Sequence, residues 1–186
     1  GFGTQIPGGM LKNIGRRPCN PSNTNLVYHA DKLLTQYEGG RPFEVDPTTL
    51  ETVGEHSFNG ALGKRGMISA HGHPHHRTGS WFNFGPASSG MSRKGPKMCF
   101  RLYEVNTRGA IARTGQYAVD GFPFAHDFAL SDRYAIFFVN SITMSGIGSV
   151  MQYSVVAAPA AGSLASAPAT SLTPRCTTPI SGASDS

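Results

Sequence analysis

From Asn25 onward, apolar residues come in short runs, each closed by turn-forming residues. Leu26 to His29 reads as a strand, Ala30 to Lys32 as a turn, and Leu33 to Tyr37 as a second strand. Gly39-Gly40 breaks that strand, and Pro42 to Val45 precedes the turn Asp46-Pro47-Thr48-Thr49. Gly, Pro, Asn and Asp each supply a turn conformation that other residues resist. Short strands punctuated at even spacing predict an all-β fold: a sandwich, a barrel or a propeller. Trp81 to Phe84 and Ile136 to Val139 read as further apolar strands.

Self-comparison narrows the choice. Phe43-Glu44-Val45-Asp46-Pro47-Thr48 returns as Tyr103-Glu104-Val105-Asn106-Thr107-Arg108, an offset of 60 (43 to 103). Gly54 with Phe58-Asn59-Gly60 is answered by Gly115 with Val119-Asp120-Gly121, an offset of 61 (54 to 115). Ala70-His71 returns as Ala125-His126, an offset of 55 (71 to 126), and an apolar strand begins ten residues after each histidine. A unit of this size with about four strands matches one propeller blade. A sandwich gives no reason for a histidine to recur in register.

Composition agrees with this pattern. The 186 residues are 39% hydrophobic, 15% charged and 10% aromatic, with 23 glycines and 13 prolines, too many breakers for a bundle of long helices. The organisation expected is a loop-rich lead-in over 1–22, a partial propeller over 23–156, and a low-complexity tail over 157–186. That tail is dominated by Ala, Ser, Thr and Pro, with Arg175 and Asp185 as its only charges, a composition expected to stay disordered. The longest uncharged apolar stretches, near Ala135 to Ile142 and Val150 to Pro159, are too short to cross a bilayer as a helix. The net charge of +5 comes from scattered Lys and Arg. The loose clusters Lys12 to Arg17 and Arg93 to Lys97 lack interleaved aromatics, so no nucleic-acid partner is expected. Cys19, Cys99 and Cys176 form an odd set without CxxC spacing, which makes a reducing compartment, the cytoplasm, the expected setting.

Seven histidines are the main candidates for chemistry, four of them in His71-Gly72-His73-Pro74-His75-His76. Neutral imidazole is a common metal ligand. Neighbouring histidines on an irregular loop point in different directions, so His73, His75 and His76 are expected on an exposed polar loop. His71 and His126 stand apart because the repeat gives them equivalent places in successive units. Equivalent positions on innermost propeller strands face one axis, so two such imidazoles would converge there. The alternative for His126 is a buried neutral imidazole bonded to backbone carbonyls. Glu38, beside Gly39-Gly40, is either a buried carboxylate that orients a histidine or an exposed turn residue. Ser69 and Ser131 lie near these histidines outside any G-x-S-x-G elbow, so no hydrolase triad emerges. Gly1-Phe2-Gly3 and Gly146-Ile147-Gly148 lack the strand–helix context of a dinucleotide site.

These residues resemble the carotenoid cleavage oxygenases, which include apocarotenoid and lignostilbene dioxygenases. Asn23-Thr24-Asn25-Leu26-Val27-Tyr28-His29, Leu33 to Glu38 with Gly39-Gly40, and Phe43 to Thr52 resemble that family's early blades in unbroken order. Ser69-Ala70-His71 with Thr78-Gly79 resembles its first iron-ligand motif, and His126-Asp127-Phe128-Ala129-Leu130 its second. The resemblance implies about two to three blades of a seven-bladed propeller. It also implies Fe2+ on the axis held by four histidines, His71 and His126 among them, with Glu38 bracing a ligand imidazole. The activity implied is oxidative cleavage of a conjugated C=C bond in an apolar carotenoid, apocarotenoid or stilbene by O2, with peripheral membrane contact among its implied partners. The likeness runs from about Asn23 to Asn140, and motifs for the third and fourth histidines are missing. The chain is therefore expected to be an incomplete, inactive part of such an enzyme. The rival from another class is a non-catalytic propeller segment that binds a partner.

Overall fold

The computed structural model describes residues 6–16, 19–64, 66–92, 95–118, 122–145, 148–159 and 170–172. The lead-in contributes one helical turn, α1 (Gly9–Lys12). The rest of the described fold consists of three antiparallel sheets met one after another along the chain. The first runs in order β1 (Asn25–His29), β2 (Lys32–Gln36), β3 (Phe43–Val45) and β4 (Thr52–Glu55). The second is β5 (His73–Pro74), β6 (Trp81–Ser92), β7 (Gly95–Val105) and β8 (Ile111–Ala118). The third comprises β9 (Phe122–Phe124), β10 (Phe128–Leu130), β11 (Tyr134–Ser145), β12 (Gly148–Pro159) and β13 (Thr170–Leu172). There β10 to β13 pair in chain order and β9 joins β11 separately. The architecture is all-β, as the strand pattern predicts.

Ladder registers show which parts of the sequence repeat are structural. At the offset of 55, His73 faces Phe82 in the second sheet and Phe128 faces Phe137 in the third, so the two units superimpose rung for rung. The offset of 60 also holds: Phe43–Val45 and Tyr103–Val105 each lie on the third strand of a sheet. The glycine match is corrected. Gly54 faces Glu44, whereas Gly115 faces Leu102 and Glu104 faces Arg113, so the two glycines stand on different rungs. Glycine recurs in turns and edges for many local reasons, and here its recurrence carries no register. Val119-Asp120-Gly121 lies outside the described residues.

The middle sheet is apolar on both faces, which is why its strands read as continuous hydrophobic runs. Phe82, Phe84, Phe100, Leu102 and Tyr117 pack with Phe128, Ala135 and Phe137 of the third sheet. Trp81, Tyr103 and Val105, one position out of phase on the same strands, pack with Leu34, Phe58, Leu62 and Ile68 on the side of the first sheet. Side chains alternate faces along a strand, so one sheet seals two interfaces. Phe84 alone meets Phe100, Phe128 and Phe137 at centroid distances of 5.5, 5.5 and 5.0 Å.

Pairing continues beyond Val156, the expected edge of the folded region. Ala157 and Ala158 face Ile136 and Ala135, and Thr170–Leu172 pairs with Val155 to Ala157. A ladder is built from backbone groups, so a side-chain composition poor in apolar volume does not prevent it. The remainder of the expected tail, 160–169 and 173–186, lies outside the described residues.

Candidate metal centre

In two successive sheets the same local device presents a histidine. Strands β9 and β10 both pair with β11, Phe124 opposite Asn140 and Phe128 opposite Phe137, and loop 125–127 bulges out between them. The second sheet repeats this 55 positions earlier. The Ser69 amide donates to the Phe84 carbonyl at 2.6 Å, β5 resumes pairing at His73, and loop 70–72 bulges between. His71 and His126 sit on these bulges. Gly72 is required in the first, because a Cβ there would lie 2.4 Å from the Trp81 indole.

The first loop is held by side-chain amides. Gln36 and Asn83, both fully buried, donate to the Ser69 carbonyl at 3.1 and 2.9 Å. Asn25 donates to the Ala70 carbonyl at 2.8 Å, and the Ile68 amide to the Gly40 carbonyl at 3.2 Å. The last of these pairs the segment after Glu38 with the segment before His71, which sets the carboxylate beside the imidazole.

Glu38, His71 and His126 thus offer three ligand atoms within 4.8 Å of one another. Glu38 Oε1 lies 3.3 Å from His71 Nε2 and 3.5 Å from His126 Nδ1. The two imidazole rings have centroids 4.3 Å apart and planes tilted by 51°. His71 and Glu38 are half-buried, while His126 is 63% exposed, so the buried-core alternative for His126 does not hold. Glu38 is likewise not a free turn residue.

The other three histidines of the 71–76 tract divide three ways. His73 Nε2 contacts Asp127 Oδ1 at 2.8 Å and its ring meets Phe128 edge-on, so it ties the first bulge to the second. Burial pushes the Asp127 carboxyl up, but the contacts with His73 and the Phe128 amide outweigh it and hold it below the usual aspartate range. His75 corrects the expectation of an exposed loop. It is only 4% exposed, packs on Phe82, and has ring nitrogens 3.3 Å from the Asp132 carbonyl and from the Thr78 hydroxyl. His76 is exposed and paired with Asp132. Among the described residues, no group of three or more His, Cys, Asp and Glu other than Glu38, His71 and His126 could hold an ion. Gln36 and Asn83 were not singled out in the sequence. The available signal was a polar residue inside an apolar strand, since such a residue when buried needs partners.

The profile of the retinal pigment epithelial membrane protein family matches residues 2–164. The chain belongs to this family, that of the carotenoid cleavage oxygenases. Among its members, the apocarotenoid-15,15'-oxygenase of Synechocystis is 37% identical over 149 residues, covering 78% of this chain and 30% of the relative. The lignostilbene-alpha,beta-dioxygenase isozyme III of Sphingomonas paucimobilis is 33% identical over 118 residues, covering 63% of this chain and 23% of the relative. The structure of cobalt-substituted Synechocystis ACO superposes with a TM-score of 0.70 at 29% identity, covering 87% of this chain and 37% of that one. The chain therefore spans about a third of the length of the members it matches. Among the described residues no helix is long and apolar enough to cross a membrane.

The residues present suit the metal that this family implies. His71 Nε2 and Glu38 Oε1 are buried, face each other, and neither has a hydrogen-bond partner. A buried imidazole nitrogen and carboxylate oxygen left in that state are costly, and a cation held at His71 with Glu38 beside it as counter-charge offsets both. Imidazole and carboxylate together suit a borderline divalent metal such as iron.

Proposed function

We propose that this chain carries part of the active site of a non-haem iron dioxygenase that cleaves a conjugated carbon–carbon double bond. The observation that carries this reading is the meeting of Glu38 within 4.8 Å of His71 and His126, two histidines on bulges that repeat at an interval of 55 residues. The substrate class, an apolar carotenoid, apocarotenoid or stilbene, is supported by the names of the relatives. In the reaction the C=C and O–O bonds break and two C=O bonds form, so O2 supplies both oxygens and no further reductant is needed.

Iron(II), when bound by imidazoles, supplies coordination positions at which O2 and an alkene can react. His71 and His126 are the ligands from this chain and act as donors of lone pairs rather than as general bases. Glu38 Oε1, 3.5 Å from His126 Nδ1, is the carboxylate oxygen that would brace this ring and leave Nε2 for the ion. Asp127 and His73, paired at 2.8 Å, hold the two bulges against each other.

Two imidazoles grip iron weakly, so the 186-residue chain is expected to turn over slowly or not at all. The test is anaerobic loading with Fe(II), followed by oxygen uptake and product analysis with an apocarotenoid and with a stilbene. Saturable iron binding with little turnover supports the reading. Vigorous cleavage by this chain alone would contradict the need for further ligands, and failure to take up iron at all would favour the partner-binding rival.

A further inference from the structure

Ser69 is 2% exposed, and its hydroxyl touches all three members of the cluster. It accepts the His71 amide N–H at 3.1 Å. It faces the Glu38 carboxylate through Oε2 at 3.3 Å and the His126 carbonyl at 3.5 Å. A serine hydroxyl has one proton and two lone pairs. It can therefore accept from His71 throughout but can donate to only one of Glu38 and His126 at a time. A carboxylate is the stronger acceptor, so the proton goes to Glu38, and the carboxylate oxygen left over is Oε1, the one directed at both imidazoles.

The Ser69 backbone is itself immobilised. Its carbonyl takes two buried amide donors, from Gln36 on β2 and Asn83 on β6, and its own amide bonds to Phe84. The repeat offers no counterpart. The residue 55 positions later is Phe124, which has no hydroxyl.

We infer that Ser69 is a positioning residue, whose hydroxyl sets the rotation of the Glu38 carboxylate and ties that carboxylate to the His71 bulge. This rests on the metal-site reading for its functional consequence, but the bonds it makes do not require an ion. Mechanically, Ser69 converts the rigid clamp of Gln36 and Asn83 into a fixed orientation of the carboxylate.

The test uses the full 186-residue chain as five proteins: wild type, Ser69→Ala, Glu38→Gln, the double variant, and Ser69→Thr as the conservative replacement. Co(II) affinity is titrated by absorbance, and hydrogen exchange is followed at the His71 amide without metal. Loss of an outer partner of a ligand set weakens metal binding about 10- to 100-fold. Ser69→Ala is expected to do so in the wild-type background but to add no more than about twofold to Glu38→Gln, because the effect passes through the carboxylate. Exchange at His71 is expected to accelerate in Ser69→Ala and to return toward wild type in Ser69→Thr. Equal losses in both backgrounds, or unchanged exchange at His71, would overturn the inference. If wild type binds no cobalt while Ser69→Ala still loosens His71, the metal reading falls and the positioning role stands.

Discussion

The imidazoles of His71 and His126, 55 residues apart in sequence, lie with their centroids 4.3 Å apart. Each ring is placed two residues before a short strand, His71 before His73 and His126 before Phe128, and those strands stand on equivalent rungs of successive sheets. The pairing thus comes from a repeated backbone device and not from local chain proximity.

The clamp on the first bulge should be measurable by itself. Replacing Asn83 with Leu removes a donor from the Ser69 carbonyl and leaves that buried acceptor one bond short. A loss of about 1 to 3 kcal/mol in urea unfolding is expected. Gln36→Leu should behave similarly, since Gln36 serves the same carbonyl. Wild-type stability in both variants would mean that the two amides are redundant.

Gly72 lies where the Trp81 indole leaves no room for a Cβ, the nearest ring atom being 2.4 Å away. Gly72→Ala must displace either the indole, which is 1% exposed, or the bulge bearing His71. Overpacking of this kind costs about 1 to 3 kcal/mol. The variant is expected to lose stability and metal affinity together, read by denaturation and by cobalt titration.

Away from the site, Glu44 gives a signed pH dependence. Its hydrogen bond with Lys32 holds the carboxyl below its ordinary value of 4.5, burial opposes this, and His56 reinforces it. A depressed folded value means that the contribution is fully present above 4.5 and is lost as pH falls through the lower folded value. Glu44→Gln should therefore be less stable than wild type near neutrality, with the gap closing on acidification. A gap that widens as pH falls would reverse the sign and refute the assignment.

The phenylalanine cluster between the second and third sheets should dominate stability. Phe84 is 2% exposed and touches three other rings. Phe84→Ala is expected to cost about 3 to 5 kcal/mol in denaturant unfolding. A loss no larger than that of an exposed site such as Phe138, which is 67% exposed, would show that the cluster is not the core.

Much of this was legible because strands with period two and turn residues leave a direct record. The hairpin of Leu26 to Tyr37, the recurrence of Ala-His, and the apolar strand at Trp81 to Phe84 all translated into structure. What the text hides is contact between segments far apart. His75 reads like its neighbours but is buried, because its ring packs on Phe82, which pairing places beside it. Ser69, Gln36 and Asn83 are common polar residues whose roles exist only once three strands converge. Pairing runs past Val156 to Pro159 because ladders are made by backbone atoms, which composition does not report.

The most direct test of the central claim is the metal content of histidine variants after loading with Fe(II) and gel filtration. The account predicts that His71→Ala and His126→Ala each lose bound iron, while His75→Ala and His76→Ala retain it once corrected for folded fraction. Iron retained in the first pair and lost in the second would place the ion elsewhere and contradict the account.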